Sequence, residues 1–316
     1  MHITFDREFA SVVAGLVVVL TAATAVAQTL RARVETAART AAIANLNTRI
    51  LSWWVMCAVV VGSLLLSPIG AIVLFAVLSV GALREFFALA PMRRDDHRVL
   101  LLVFFVSIPL QYGLVAVRWY GLFAILIPVY GVLCVSAAAA LAGDTVRFLE
   151  RIARMQWGLM ACVYSVSHAP ALLMLDIPGY GGQNAKLLLY LILVVESSDV
   201  LQYIWGKLYG RHAIAPTVSP GKTIEGFAGG IATAVLLGCA LSPITPFTLW
   251  QSALLSLTVT ILGFAGGLVM SAIKRDRGVK DFGTAIAGHG GILDRIDSLC
   301  FAAPVFFHLT RYFFAV

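Results

Sequence analysis

Between Ser271 and Asp297 the chain gathers residue types suited to phosphate and metal chemistry. Lys274, Arg275, Lys280 and Arg295 suit a polyphosphate, with Arg offering a two-pronged fork and Lys a point charge. Asp281, Asp294 and Asp297 offer the hard oxygen ligands that a divalent cation takes. Gly288, Gly290 and Gly291 let backbone come close to a ligand, and His289 stands among them. Long apolar runs flank the segment. The combination points to the handling of a metal–nucleotide at a membrane surface.

A second polar cluster lies upstream, at Glu196-Ser197-Ser198-Asp199. Glu196 and Asp199 share a helix face at i,i+3 spacing. Acidic groups at membrane depth are costly, so they face a cavity or pair with a cation from a neighbouring helix. The chain then runs through Gly206, Gly210 and Pro216 to Ser219-Pro220-Gly221-Lys222-Thr223. A P-loop would need glycine where Pro216 stands and a strand before it, so that reading is rejected. What is expected is a loop carrying Ser219, Lys222 and Thr223 into a helix N-terminus, an arrangement that can bind phosphate.

These residues need elements to hold them, and composition says which kind. The chain is 60% hydrophobic and 12% charged, with a mean hydropathy of +0.92. Apolar runs near 9–28, 51–67, 69–89, 99–117, 120–142, 157–175, 185–205, 226–243, 249–270 and 298–315 can each cross a bilayer core. A segment isolated in lipid must satisfy its own backbone hydrogen bonds, which favours helix. The expectation is an all-α integral membrane protein of about ten transmembrane helices. It divides into an N-terminal span plus interfacial helix (1–50), a membrane-embedded helical region (51–180) and a C-terminal region carrying the polar motifs (181–316).

The basic residues sort onto one face of that layout. Of the 23 Lys and Arg, all but Arg7, Arg118, Lys186 and Arg311 fall in 28–49, 90–98, 143–156, 206–225 and 271–297 or at Arg84. The positive-inside rule puts those loops in the cytoplasm and both termini outside. The net charge of +7 then suits anionic headgroups, and nucleic acid is a poorer account of it because no soluble basic domain is present. Ala25-Val26-Ala27 resembles a cleavage site, but Asp6, Arg7 and Glu8 deny the start a positive n-region, so the first span is expected to stay. Thr29 to Arg49, rich in Ala with four Arg, reads as a helix along the cytoplasmic interface. Cys57, Cys134, Cys162, Cys239 and Cys300 lack metal or redox spacing and read as small hydrophobes. His97, His168, His212 and His308 read as packing or interface residues.

The two motifs together resemble the signature of the phosphatidate cytidylyltransferases, also called CDP-diacylglycerol synthases. Ser271, Lys274-Arg275, Lys280-Asp281, His289-Gly290-Gly291 and Asp294-Arg295 with Asp297 match its downstream pattern. Asp199, Tyr203, Gly206, Gly210, Ser219-Pro220, Lys222-Thr223 and Glu225-Gly226 match its upstream one. The resemblance covers the C-terminal part of the chain; the earlier residues add only compatible spans. It implies transfer of CMP from CTP to phosphatidate, giving CDP-diacylglycerol and pyrophosphate at the cytoplasmic face of a bacterial inner membrane. It implies Mg2+ as cofactor, leaving one ion or two open, and a homodimer. Lys222, Lys274, Arg275, Lys280 and Arg295 would hold phosphates, with Ser219, Thr223, Gly290, Gly291 and His289 shaping the nucleotide site. Asp294 is the first candidate metal ligand, with Asp297, Asp281 and Asp199 beside it.

Two positions depart from the pattern. Ala287 stands where proline is usual before the glycine loop. Gly267 stands where similar bacterial members carry a metal-holding aspartate, and eukaryotic-type members also lack that residue. Two other readings therefore stay open: the same chemistry on a different lipid phosphate, or a non-catalytic transporter or scaffold of the same fold.

Overall fold

The computed structural model describes residues 6–32, 37–89 and 96–316. It holds ten helical rods: α1 Arg7–Ala32, α2 Ala37–Leu66, α3 Pro68–Leu89, α4 over 97–116, α5 Tyr120–Leu141, α6 Phe148–Met174, α7 Asn184–Tyr209, α8 Ile224–Ala240, α9 Leu249–Asp276 and α10 Leu293–Phe314. Eight are long and apolar enough to cross a membrane. The other two are α8, only 17 residues long, and α10, which carries Asp294, Arg295 and Asp297 in its first turns. The chain is an all-α integral membrane protein. Arg33, Arg93 and Arg94, counted above on the basic face, lie outside the described residues, as does the side chain of His97.

Local chemistry sets the helix limits. Thr248 and Gln251 form a reciprocal capping box that starts α9, so two of its unpaired N-terminal donors are satisfied. At the start of α8, Thr223 Oγ1 accepts from Gly226 N at 3.1 Å. Large apolar residues on several rods, such as Val18, Val77, Leu133 and Leu254, remain exposed, as a lipid-facing surface requires.

Contacts between distant segments sort the helix ends into two groups. At one end, Arg151 Nε bonds Asp96 Oδ1 at 3.2 Å and Arg151 also pairs with Asp144 at 3.0 Å. There too Ser52 Oγ donates to Ala287 O at 2.8 Å, and Arg275 Nε donates to Val218 O at 3.3 Å. At the other end, Lys186 Nζ binds Asp6 and, at 2.6 Å, Glu8. Arg311 lies over the Tyr120 ring at 3.7 Å from its centroid, and Val316 N donates to Asp176 O at 3.0 Å. The alternation agrees with the charge-derived layout: residues assigned to one side of the bilayer meet one another.

Two local expectations are corrected. Thr29 to Arg49 is not a separate interfacial helix. Thr29 to Ala32 finish α1, and Ala37 to Arg49 are the first turns of α2. Alanine and arginine are good helix formers in any setting, so the composition could not tell an interfacial helix from the extension of a span. The 206–225 segment is not a plain loop either. Ala213–Ala215 (β1) and Ser219–Thr223 (β2) pair antiparallel, with Ala213 opposite Thr223 and Ala215 opposite Ser219. A strand therefore does precede Gly221-Lys222-Thr223, but these three residues sit within β2 itself and form no phosphate-cradling turn.

Candidate active site

The first turns of α10 place Asp294 against the last turns of α9, and Ser298, beside Asp297, against Asp199 on α7. Lys274 and Asp294 are 8% and 5% exposed, and their Nζ–Oδ1 distance is 2.7 Å. The second Asp294 oxygen accepts from Phe282 N at 2.8 Å and Gly291 N at 2.9 Å. Asp294 thus ties α9, the 277–292 loop and α10 together, with both oxygens engaged by protein donors. Gly290 explains the glycine loop physically: its φ is +83°, and a Cβ there would lie 2.8 Å from Asp294 Oδ2. The loop closes on itself through Ile286 N to Gly290 O at 2.8 Å and His289 N to Ile286 O at 3.0 Å.

One helix turn further, Asp297 and Asp199 come together with Glu196. Ser298 Oγ donates to Asp199 Oδ2 at 2.6 Å, and Ser298 N donates to Asp297 Oδ1 at 2.8 Å. Lys222 reaches this cluster from β2. Its ammonium lies 4.6 Å from the Phe264 ring centre and 3.4 Å from the Phe264 carbonyl. Burial pushes the Lys222 pKa down, the charges of Asp199 and Asp297 oppose that, and Lys274 reinforces it. The ammonium stands where a side chain on Gly267 would begin: a Cβ there would be 2.8 Å from Lys222 Nζ and 3.9 Å from Asp297 Oδ2. The position that departs from the family pattern is therefore the floor of the lysine's pocket.

Not every expected residue joins this cluster. Lys280 and Asp281 remain exposed on the loop. Arg275 is also exposed, its guanidinium donating to the carbonyls of Val218 and Val279. Thr223 Oγ1 is occupied by the cap of α8, and Ser219 stays half-buried in β2. Arg295 is half-buried, with its Nε enclosed and without a hydrogen-bond partner among the described residues. His289 is half-buried too; burial first, then the Arg295 charge, hold its pKa down. His212, expected to serve packing or an interface, pairs with Glu225 at 2.6 Å on the exposed hairpin, and Glu225 is drawn down to about 2 by the Arg211 N–H and then by His212.

Glu85, on α3, was not among the residues singled out from the sequence. Its carboxylate accepts from Ile292 N and Leu293 N, each at 2.9 Å. It thereby caps α10 from 207 residues away and satisfies donors that a helix N-terminus leaves unpaired. The available signal was an acidic residue at the basic end of a span, next to Arg84.

A resident divalent ion is compatible with the donor set. Asp199 and Asp297 supply carboxylate oxygens, whereas Asp294 has both of its oxygens on Lys274 and backbone N–H groups. Among the described residues no three His, Cys, Asp or Glu side chains form a metal-holding group. Mg2+ binds through one or two carboxylates together with substrate phosphates and water, so Asp199 and Asp297 are the carboxylates that could hold it. A cavity of about 160 Å³ at the opposite end of the bundle, lined in part by Arg118, Asp176 and Arg311, contains none of these groups.

Gly267→Asp is expected to fold, because the atom it displaces is the end of a flexible lysine. Activity is expected to fall about tenfold or more, since the new carboxylate takes the Lys222 charge from Asp297 and the substrate. The magnesium concentration for half-maximal rate should not drop. A magnesium titration showing a lower requirement at full activity contradicts this account of the pocket.

The sequence profile of the Cytidylyltransferase family matches residues 47–313. The chain is 41% identical over 271 residues to a protein of Escherichia coli strain K12 named "Uncharacterized protein YnbB", covering 85% of this chain and 88% of that one. It is 43% identical over 120 residues to the phosphatidate cytidylyltransferase of Staphylococcus haemolyticus, and 41% identical over 120 residues to that of Staphylococcus aureus strain COL. Each of these two matches covers 37% of this chain, which spans 46% of the relative's length.

Proposed function

The chain belongs to the cytidylyltransferase family, and we propose that it transfers CMP from CTP to phosphatidate, releasing pyrophosphate and leaving CDP-diacylglycerol in the membrane. The observation that carries the proposal is the meeting of Lys222, Asp199 and Asp297 next to the buried Lys274–Asp294 pair, at the end of a membrane bundle. Cations for a triphosphate and carboxylates for a hard metal ion stand together where a lipid headgroup lies.

In the reaction a phosphatidate phosphate oxygen forms a bond to the α-phosphorus of CTP, and the bond from that phosphorus to the β-phosphate bridging oxygen breaks. The electron pair leaves with pyrophosphate, and no covalent enzyme intermediate is needed. The protein's part is positioning and charge neutralisation. Lys222 and Arg295, whose charges both act on Asp199 and Asp297, hold phosphate oxygens. Lys274 supports the site through Asp294, and the His289–Gly290–Gly291 loop shapes the nucleotide side. Asp199 and Asp297 would hold Mg2+, which when bound supplies Lewis-acid stabilisation of charge on the phosphate oxygens. Asp294 would join them only by giving up a protein donor.

Purified protein should release pyrophosphate only when CTP, magnesium and phosphatidate are all present. A panel of other lipid phosphates tests the acceptor: release with one of them and not with phosphatidate moves the assignment to that lipid. Release with none would favour a non-catalytic homologue, the reading that Gly267 kept open.

We place the motif end in the cytoplasm, at a bacterial inner membrane, because CTP is there and the basic loops gather at that end. After removal of the native cysteines, single cysteines at Gly221 and Gly278, both exposed, should resist an impermeant thiol reagent on intact cells and label after permeabilisation. Labelling of either from outside reverses the topology.

A further inference from the structure

One wall of the site comes from α2, which no motif covers. Gly288, at φ +72°, packs so closely on it that a Cβ would meet Arg49 Cγ and Thr48 Cγ2, both at 3.3 Å. Ser52 Oγ holds Ala287 O at 2.8 Å, and the Trp53 ring meets His289 edge-on with centroids 6.3 Å apart. At 100° per residue, Arg49, Trp53 and Cys57 lie along one face of α2, and Cys57 is within electrostatic reach of Glu196. Leu51, Val55 and Val59, about 200° away, are exposed. The helix therefore meets the 287–289 loop with one face, which carries the exposed Arg49 and the half-buried Trp53, and leaves its opposite apolar face exposed.

One charge on this wall is unbalanced. Lys274 is neutralised by Asp294. Arg49 makes no ion pair with any described residue; its Nε donates to Asn45 Oδ1 at 3.3 Å. Arg295 Nε is enclosed without a partner. Both guanidinium charges act on His289 and disfavour its protonation. Arg295 also feels the carboxylates of Glu196, Asp199 and Asp297, so Arg49 is the guanidinium acting on His289 that no described carboxylate neutralises, and a phosphate dianion would supply that partner.

We propose that α2 is the acceptor wall of the site: Arg49 takes the phosphomonoester of the lipid substrate, and Trp53, one turn deeper, lies against its glycerol-ester region. The inference rests on the reading of the site as a CTP–lipid phosphate transferase. Trp and Arg are suited to this depth because both combine an apolar body with a polar end at the membrane interface.

The test uses full-length protein in detergent with dioctanoyl phosphatidate, inorganic phosphate and CTP as separate titrants. R49M keeps the stem that packs on the Gly288 loop and removes the charge. It should weaken phosphatidate binding tenfold or more and raise the KM for phosphatidate alike, while CTP affinity stays within twofold. R49K should recover part of the loss. W53A should weaken phosphatidate but leave inorganic phosphate unchanged, which separates a lipid site from a free-phosphate site. Equal losses for CTP and phosphatidate in R49M, or unchanged phosphatidate binding, overturn the proposal, and so does a W53A loss shared by inorganic phosphate. If the wild type shows no turnover with phosphatidate, the functional reading fails, while the binding titrations still decide the role of Arg49.

Discussion

Asp297→Asn is expected to reduce CMP transfer by about 10²–10³-fold, or roughly 3–4 kcal/mol of barrier, without loss of folding. Asparagine keeps the shape of the side chain and an oxygen to accept from Ser298 N, so the local hydrogen bond at 2.8 Å survives. What disappears is a negative charge facing Lys222 and beside Asp199. Like charges gathered in a poorly solvated site oppose one another, so removing one should leave the melting temperature unchanged or higher. Loss of turnover with retained melting is the signature of a group kept for chemistry. A variant that melts far lower, or turns over near the wild-type rate, contradicts the placement of Asp297 in the site.

Asp294→Ala should give the opposite signature, loss of turnover together with loss of stability. It leaves the Lys274 ammonium, 8% exposed, without its carboxylate, and orphans the N–H groups of Phe282 and Gly291. Removing one partner of a buried pair costs about 3–5 kcal/mol because a charge is left uncompensated. The double variant D294A/K274M removes both charges and should recover much of the stability while remaining inactive. Thermal unfolding in detergent beside a turnover assay separates the two effects. D294A with normal melting and near-normal turnover would remove the pair from both the fold and the site.

The contrast between these two aspartates also marks how far the sequence could be read. Ten helical rods were legible, because long apolar runs leave the backbone no other way to satisfy its hydrogen bonds in lipid. The basic face was legible because the Lys and Arg sort by loop, and contacts such as Ser52 with Ala287 place those loops together. The motifs named Lys222, Asp199 and Asp297, and the structure brings these three into one cluster. They ranked Asp294 first as a metal ligand and could not foresee that both of its oxygens are engaged, because that depends on Lys274 and on loop backbone donors at Phe282 and Gly291. The roles of Glu85 and the α2 wall were missed for a related reason: their partners lie more than 200 residues away, and no local periodicity encodes the pairing. The β1–β2 hairpin was missed because Pro216 and the glycines read as a loop, while the short pairing depends on the turn between them.

Gly267 was the residue that most threatened the functional reading, and its surroundings turn it into support. The missing carboxylate is replaced by room for a lysine that neutralises the same cluster. This favours a site with fewer fixed negative charges and a cation of its own.

The most direct test follows the nucleotide. With CTP labelled at the α-phosphate or at the γ-phosphate, purified protein, magnesium and phosphatidate should move the α-label into an organic-extractable lipid and the γ-label into pyrophosphate, in equal amounts. An α-label that stays entirely in the aqueous phase while the protein is folded and phosphatidate is present would contradict the account at its centre.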